Sequence, residues 1–424
     1  MEEKKYFHAL TFDYDKCNGC TKCIKVCPTN ALRIKDSKVV FDETRCIDCG
    51  KCIKACSYDA ILPYYDHLFN IKKFKYKVAI VTSSFPGQFE DSIGYKKSKK
   101  VLKKIGFDLV LEESMVAGLV KRFIKDYIRK HKNIRPIISS DCPTIVRLIQ
   151  VRFPILLPNL VHIESPMSLL SMYYREKLSQ EKNLEKNDIG IFLIAPCISQ
   201  VTSVHQPEGT YSSPFDGAIS IGEIYCQVMQ FHKDIEDISD VEIYKNGLAW
   251  ALSGKQAEEI EAKDIKTLAV SGVDNVITIL SKIESHQAEY FDYVVLSNCT
   301  NGCIGGGLNV ENPFVASSRI KRLIKETKPK YFFDDKFIDM YKDKIFDVTP
   351  LQPRSIMKLD EDITVALEKM KKIDEIIEEL PHYDCGACGS PSCKVFAEDI
   401  VDKKTKIEDC PILFKRKYED EKVK

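Results

Sequence analysis

Four cysteines in three separate segments of the chain are placed to bind one iron–sulfur cluster. Cys299 and Cys303 lie close together and are followed by the glycine triplet Gly305–Gly307, whereas Cys142 and Cys197 stand alone far upstream. Thiolates are the usual ligands of 4Fe–4S clusters, and glycines let the backbone approach a bulky group. The pattern predicts a cluster site built from three loops. The alternative is a set of unrelated buried cysteines, since free cysteine is often buried.

A duplicated cysteine pattern at the N-terminus predicts two further clusters. Phe12-Asp13 and Phe41-Asp42 each precede a Cys-x2-Cys-x2-Cys-x3-Cys run, which is the spacing of bacterial two-cluster ferredoxins. In that pattern the fourth ligand of each cluster comes from the other repeat. The expected ligand sets are therefore Cys17, Cys20, Cys23 and Cys56 for one 4Fe–4S cluster, and Cys46, Cys49, Cys52 and Cys27 for the other. A zinc module is the alternative.

A third set of cysteines lies near the C-terminus. Cys385, Cys388 and Cys393 are separated mainly by small residues, and Cys410 follows a predicted helix over 394–401. We expect these four to hold another 4Fe–4S cluster, with zinc as the alternative. Upstream, apolar residues recur at helical spacing from Ile363 to Leu380, which predicts an amphipathic helix that packs on a neighbouring domain. A dimer contact is the other interpretation of that apolar stripe.

Composition excludes several classes of function. The 424 residues include 63 Lys+Arg and 62 Asp+Glu, so the net charge of +1 provides no excess for general nucleic-acid binding. No apolar run approaches the roughly 18 residues needed to span a bilayer. We expect a cytoplasmic protein with no nucleic-acid or membrane partner. In that compartment its seventeen cysteines indicate metal or redox chemistry rather than disulfides.

The elements that must position the central cysteines alternate between strands and helices. Strands are predicted at 78–82, 109–112, 136–139, 190–195, 267–271 and 293–296, and helices at 115–130, 223–231 and 273–284. This alternation is typical of an α/β domain with mostly parallel sheets. Three of the strands run directly into Cys142, Cys197 and Cys299. Because ligand sites form at the carboxyl ends of parallel strands, these loops are expected to meet in one crevice.

In this context Cys142, Cys197, Cys299 and Cys303 resemble the four thiolates that hold the H-cluster of iron-only (FeFe) hydrogenases. Comparable stretches at 107–112, 164–166 and 216–219 extend the resemblance over residues 78–345. The resemblance implies a 4Fe–4S cubane on these four cysteines. It also implies that Cys303 bridges the cubane to a diiron unit carrying CO, cyanide and azadithiolate, which maturases insert.

The order of modules resembles the sensory, group D type of this family. The expected domains are a two-cluster α+β ferredoxin-like module (1–70), an α/β H-cluster domain (71–355), a helical linker (356–380) and a small helical iron–sulfur domain (381–424). The total expected content is three accessory 4Fe–4S clusters and one H-cluster.

Several positions depart from the fast members of the family. Those enzymes have a proton-relaying cysteine where this chain has Asp141, a cyanide-binding lysine where it has Gln200, and a methionine where it has Ser297. Pro196 is retained, but alanine precedes it instead of methionine. The acidic pair expected for proton delivery near Gly118-Leu119 is missing. With Cys303, these four positions form the expected catalytic set.

The preferred function is interconversion of H2 with protons and electrons, at low turnover and as a hydrogen sensor. Electrons would pass through the accessory clusters to a ferredoxin or a signalling protein. Asp141 would either relay protons or order its loop by accepting backbone hydrogen bonds. The alternative function is electron transfer by a hydrogenase-like protein that lacks the diiron unit. Two features stay outside this scheme: Cys226, expected to be buried, and the lysine-rich stretch 96–104, interpreted as a solvated helix face or a docking site for ferredoxin.

Overall fold

The computed structural model describes residues 5–209, 212–330, 332, 336–339, 349–354, 360 and 362–415. The chain forms two compact units. The first unit joins Met1–Pro63 with Pro353–Lys424, and the second is the continuous segment Tyr64–Gln352.

The N-terminal half of the first unit is built from short strands and helices. These are β1 (Leu10–Phe12), α1 (Lys22–Lys25), β2 (Leu32–Lys35), β3 (Lys38–Phe41), α2 (Lys51–Ala55) and β4 (Ile61–Pro63). β1 pairs with β4 and β2 with β3, both antiparallel. Ile24, Leu32, Val39 and Ile61 form the core of this half, together with cysteine side chains. The predicted α+β ferredoxin-like fold is confirmed.

The second unit contains two parallel sheets surrounded by helices. Its strands are β5 (Tyr76–Val81), β6 (Leu109–Glu112), β7 (Ile137–Ile138), β8 (Ile189–Ala195), β9 (Gly217–Ser220), β10 (Thr267–Ser271) and β11 (Tyr293–Ser297). One sheet has the order β6-β5-β8-β9 and the other β10-β11-β7. All pairings within both sheets are parallel, so the predicted α/β domain with mostly parallel sheets is confirmed.

Nine helices are described in this second unit, within the ranges given above. They are α3 (Gly94–Lys104), α4 (Ser114–Lys130), α5 (Pro143–Arg152), α6 (Pro166–Lys182), α7 (Ile198–His205), α8 (Ile221–Phe231), α9 (Lys255–Ile260), α10 (Val273–Glu284) and α11 (Pro313–Glu326). β8 is buried along its whole length and is apolar apart from one glycine. Such a strand suits the centre of a sheet that is covered on both faces.

The C-terminal part of the first unit is helical, as predicted. It contains α12 (Ile363–Glu379) and α13 (Cys393–Val401). Ile373 and Leu380 pack with Phe396 and Cys410 in one apolar cluster, so the C-terminal half of α12 packs on the cysteine module that follows it. The N-terminal half does not, since Leu367 remains 61% exposed. Part of the segment predicted as a linker, residues 356–359 and 361, lies outside the described residues.

Among the described residues, none of the helices is both long and apolar enough to cross a membrane.

Candidate metal centre

The three loops that carry the central cysteines start at the carboxyl ends of strands. Cys142 follows β7 and is the N-cap of α5, and Cys197 follows β8 and is the N-cap of α7. Cys299 and Cys303 follow β11. Because β7 and β11 belong to the three-stranded sheet and β8 to the four-stranded one, the loops come from two sheets.

The four thiols lie close enough for their charges to interact. Burial, followed by the charge of Cys299, raises the pKa of Cys197 to about 12. Burial also raises the pKa of Cys142. Cys303 exposes part of its surface, yet desolvation of its thiol and then the charges of Cys142 and Glu113 raise its pKa well above the usual value. Thiols that oppose one another's ionisation fit a cationic iron core, whose charge would hold them deprotonated.

Helix starts favour the same chemistry at two of the ligands. The first-turn backbone amides of α5 and α7 face the thiols of Cys142 and Cys197 and partly offset the effect of burial on their pKa. The positive end of a helix stabilises a thiolate in this way.

The glycine-rich loop fits closely against protein backbone. Gly302 has a φ of 81°, and a side chain there would lie 2.6 Å from the carbonyl oxygen of Ala251. A Cβ atom on Gly306 would overlap the carbonyl oxygen of Pro196, which accepts a 2.8 Å hydrogen bond from the backbone nitrogen of Leu308. The loop of Cys303 is thereby held directly against the residue before Cys197. Glycine is required at both positions because protein backbone lies so close. For the glycine triplet, the sequence analysis instead predicted the approach of a bulky group.

A buried arginine joins the helices that begin at Cys142 and Cys197. Arg147 in α5 has no solvent-exposed surface. Its guanidinium donates to the hydroxyl of Ser199 at 3.0 Å and to that of Ser203 at 3.0 Å, both in α7. Glu208 lies 3.7 Å from it and balances its charge. Arg147 therefore fixes the separation of two of the ligand loops.

Asp141 is positioned by a side chain from a distant segment as well as by a backbone hydrogen bond of its own loop. Gln256, in the first turn of α9, donates a 2.6 Å hydrogen bond to the Asp141 carboxylate. Burial raises the pKa of Asp141, although the bond from Gln256 acts in the opposite direction. The carboxyl group is therefore closer to holding a proton at neutral pH than an ordinary aspartate.

Glu113 supplies a second carboxyl group near the site. Burial raises its pKa, and the charge of Asp141 adds to that rise. Its carboxylate accepts a 2.7 Å hydrogen bond from the backbone nitrogen of Ser83. Residues 118–122 contain no acidic residue. Glu113 nevertheless gives Asp141 a carboxyl neighbour. Glu113 could have been identified from the acidic pair Glu112-Glu113 at the end of a predicted strand.

A cavity of about 150 Å³ adjoins this region. Asp141, Gln200, Glu164 and His162 contribute to its lining. Gln200 is 7% exposed, and its side-chain oxygen has no hydrogen-bond partner among the described residues. Rotation of that amide would present an N–H donor instead. The cavity is lined by Asp141 and Pro143, the residues on either side of Cys142, and a few polar groups stand in a mainly apolar wall; such a space fits a compact diiron group with hydrogen-bonding ligands.

The two remaining predicted positions belong to the loop framework. Ser297 ends β11, and its carbonyl oxygen accepts a 2.9 Å hydrogen bond from the nitrogen of Gly272. Pro196 contributes the carbonyl that meets the glycine-rich loop, as described above. Both therefore act on the site through backbone contacts in the described residues.

In the N-terminal module, the two predicted ferredoxin-type sets each line one cavity. The first is lined by Cys17, Cys20, Cys23 and Cys56, and the second by Cys27, Cys46, Cys49 and Cys52. Each cavity thus receives three cysteines from one repeat and one from the other. Burial is the main cause that raises the pKa of Cys23 to about 11 and that of Cys49 to about 12.

His8 is a further residue next to the second of these sets. Its Nδ1 lies 2.9 Å from the Asp48 carboxylate and its Nε2 lies 2.7 Å from the carbonyl oxygen of Glu43. The backbone nitrogen of Asp48 donates to the thiol of Cys46 at 3.4 Å. Ligand atoms of His8, Cys46 and Asp48 are mutually within 4.8 Å. Sequence spacing could not reveal this, because His8 lies outside both repeats.

The C-terminal set is partly brought together in the same way. Cys388, Cys393 and Cys410 belong to the apolar cluster beneath α12, and the charges of Cys410 and Cys385 add to the burial that raises the pKa of Cys388. Cys385 is the exposed member.

Two other expectations need correction. Cys226 is exposed, not buried, because it lies on the outer face of α8. The lysine-rich stretch forms α3, but it is not a freely solvated face. Lys100 pairs with Asp240 and Lys104 with Asp234, each at 2.6 Å, and Lys99 is buried against Glu112. These pairs neutralise three of the six lysines of the stretch.

Comparisons with known proteins agree with this arrangement. Residues 75–251 match the iron-only hydrogenase large subunit, C-terminal domain. Residues 4–60 match the 4Fe–4S dicluster domain, and residues 380–412 match an Fe–S cluster family. A structure of FeFe-hydrogenase HydA1 from Chlamydomonas reinhardtii has a TM-score of 0.52 at 14% identity, and the match covers 68% of this chain and 98% of that one. At that identity the likeness establishes the fold.

Curated relatives match only short segments. An uncharacterized protein of Methanocaldococcus jannaschii is 43% identical over 58 residues, which are 13% of this chain and 26% of the relative. The acetyl-CoA decarbonylase/synthase complex subunit gamma 1 of Methanosarcina thermophila is 44% identical over 43 residues, 10% of this chain and 9% of the relative. The chain thus spans about a quarter or less of the curated relatives it matches.

The second unit therefore has the fold of the FeFe hydrogenases, and four thiols are gathered in the loops that follow its strands β7, β8 and β11.

Proposed function

We propose that the protein is an FeFe hydrogenase-type redox protein that reversibly interconverts H2 with protons and electrons. The observation that carries this proposal is the meeting of Cys142, Cys197, Cys299 and Cys303, together with a cavity lined by both sequence neighbours of Cys142, Asp141 and Pro143, and by Gln200. An ordinary electron-transfer domain needs the four thiols but has no use for such a cavity.

In this proposal the four central cysteines would hold a 4Fe–4S cubane, and Cys303 would also be the ligand that holds a diiron unit with CO, cyanide and azadithiolate. When bound, that unit supplies the open coordination site for H2. Gln200 would direct its amide N–H at a cyanide, in the place of the lysine of fast enzymes. Asp141 would hold or release a proton at its carboxylate, with Gln256 keeping it in position. Pro196 and Ser297 would shape the surrounding loops.

Electrons would leave through the three accessory 4Fe–4S clusters. The other twelve assigned cysteines provide four ligands for each. The external redox partner would be a ferredoxin or a signalling protein, and maturases would insert the diiron unit. Because three of the six lysines of α3 are paired within their own unit, a signalling protein is the better supported of the two partners.

Low turnover and hydrogen sensing are the finer part of the proposal, and with them the group D type. A thiol of pKa about 8.5 exchanges protons readily near neutral pH, whereas an aspartate has a reference pKa of about 3.9. Burial moves Asp141 towards the useful range but leaves a carboxyl in place of a thiol. A sensor needs only a change of redox state that depends on hydrogen, so a slow site is sufficient.

A second candidate is an electron-transfer protein whose central domain holds the cubane alone. The substitutions at 141, 200 and 297 favour it, because each removes a side chain that serves the diiron unit in fast enzymes. Infrared spectroscopy after anaerobic co-expression with maturases separates the two functions. We expect CO and cyanide stretching bands. Fully loaded cubanes without any such bands would reject the hydrogenase proposal and leave the second candidate.

A further inference from the structure

The C-terminal cysteine module contacts the N-terminal module at one of its two cluster cavities. The backbone nitrogen of Ile34 in β2 donates a 2.8 Å hydrogen bond to the carbonyl oxygen of Gly389. Gly389 directly follows Cys388, and the side chain of Ile34 lines the cavity of Cys17, Cys20, Cys23 and Cys56. One residue therefore touches the loop of one cysteine set with its backbone and the cavity of another with its side chain.

This contact requires glycine. Gly389 has a φ of 86°, and a Cβ atom there would overlap the carbonyl oxygen of Ile34. Any other residue at 389 would push the loop away from β2. The backbones of the two modules thus approach as closely as protein chains can.

Charged side chains hold the same surfaces together. Arg33, next to Ile34, donates to both oxygens of the Asp399 carboxylate at 2.6 and 3.2 Å, and the hydroxyl of Ser390 donates to that carboxylate at 2.9 Å. Asp399 is 5% exposed. Partly buried, two-point pairs of this kind fix geometry more firmly than exposed ion pairs do.

Lys25 adds a contact from the helix that carries Cys23. Its ammonium group donates to the carbonyl oxygens of Asp384 and Pro391, which lie on either side of the loop from Cys385 to Ser390. By contrast, the residues that line the cavity of Cys27, Cys46, Cys49 and Cys52 all come from 10–52. In the described residues, then, the C-terminal module meets the first ferredoxin-type cavity and not the second.

We propose that the C-terminal module is an electron port for the cluster of Cys17, Cys20, Cys23 and Cys56, with the Gly389–Ile34 hydrogen bond as the contact between them. An electron that arrives at the C-terminal set reduces iron there. When it moves on, that iron is oxidised again and iron in the first set is reduced. No proton has to move. Cys385 and Cys20 are the exposed cysteines of the two sets, so the port also faces solvent, where a redox partner could reach it.

This proposal deepens the proposed function. It rests on that function only for the source and the final acceptor of the electrons. It is tested on full-length protein reconstituted with iron and sulfide but without maturases, so that the diiron unit plays no part. The readout is electron paramagnetic resonance of the dithionite-reduced protein, in which neighbouring reduced clusters split and broaden each other's signals. Iron analysis accompanies each sample.

Three variants define the expected result. Cys410→Ala should remove the C-terminal cluster and the share of the broadening that it causes in the first cluster's signal. Gly389→Ala should remove the same share of broadening while keeping all the iron. Gly94→Ala is the control for backbone strain: Gly94 also has a positive φ, of 69°, but nothing lies within 4 Å of an added Cβ and it belongs to the second unit, so the wild-type spectrum should persist.

Two outcomes would overturn the proposal. One is an unchanged signal of the first cluster in Cys410→Ala, and the other is wild-type broadening in Gly389→Ala. If Gly389→Ala loses iron, Arg33→Gln decides instead, because it loosens the docking without touching the loop and should weaken the broadening. Normal coupling in protein that shows no CO or cyanide bands after maturation would support the port and reject the hydrogenase function.

Discussion

The side-chain amide of Asn309 donates a 2.8 Å hydrogen bond to the carbonyl oxygen of Cys303. Together with the bond between Leu308 and Pro196, it closes the glycine-rich loop around the most exposed of the four central cysteines. Cys303 is thus held in place from both sides of the loop while part of its surface stays exposed. That is the arrangement a bridging ligand needs.

Replacement of Cys303 tests this role directly. Cys303→Ala should abolish the CO and cyanide bands of matured protein, because Cys303 is the thiolate proposed to hold the diiron unit. The spectra of the ferredoxin-type clusters should not change. Cys226→Ala is the matched control, since Cys226 is also an exposed cysteine but lies outside every set. Bands of full intensity in Cys303→Ala would place the bridge elsewhere.

Metal content follows from the grouping of the cysteines. Anaerobically reconstituted protein should contain about sixteen irons per chain without maturases and about eighteen with them, because each 4Fe–4S cluster takes four thiolates. Elemental analysis measures both values. Stoichiometric zinc, or iron near eight, would contradict the grouping and favour zinc sites.

Arg147 should be essential for the central site and dispensable for the other clusters. Arg147→Leu leaves Ser199, Ser203 and Glu208 without their buried partner, which typically destabilises a protein by about 3–5 kcal/mol. The loops of Cys142 and Cys197 should separate, so reconstituted protein should lose about four irons. Arg152→Leu, at the exposed end of the same helix, is the control. Full iron content and unchanged urea unfolding in Arg147→Leu would show that the arginine is not needed to hold the loops.

Asp141→Cys should increase hydrogen evolution by matured protein, by one or more factors of ten, each about 1.4 kcal/mol of barrier. The gain should be larger at pH 8 than at pH 6. The raised pKa of Asp141 means that the wild-type carboxyl gains protons as the pH falls, whereas a thiol with a pKa near 8.5 is mostly protonated at both values. Asp141→Asn, which cannot relay a proton, controls for loss of charge. Wild-type turnover already equal to that of fast hydrogenases would reject the sensory proposal.

Sequence reasoning located the strands that lead into the cysteines but not their division into sheets. Apolar runs identify strands such as Ile189–Ala195, yet nothing in a run states which neighbour it pairs with. Gly217–Ser220 was missed altogether, because a four-residue strand with glycine at one end and serine at the other lacks a distinctive pattern. β7 is shorter than predicted, since Pro136 has no N–H to give to a neighbouring strand.

In the candidate site, too, some residues could be identified from the sequence and others could not. The cysteine sets could be read from spacing, because each set is defined by short intervals or by a strand end. Arg147, Gln256 and His8 could not. Gln256 and His8 come from parts of the chain distant from the cysteines they adjoin. Arg147 lies close to Cys142 in the sequence, but nothing in the sequence shows that its partners are in the helix after Cys197. Glu113 directly follows a correctly predicted strand. It was not identified because acidic residues were expected further along the helix.

The first unit is assembled from the two ends of the chain, and this imposes an order on its synthesis. β2 leaves the ribosome early, while the loop of Gly389 that pairs with Ile34 follows only after the whole second unit. At translation rates of about 5–20 residues per second, the intervening roughly 350 residues take on the order of 20–70 s. Throughout that time the edge of β2 has no partner, and the first cysteines are open to cluster donors. A nascent chain can therefore receive its N-terminal clusters before the port closes over them.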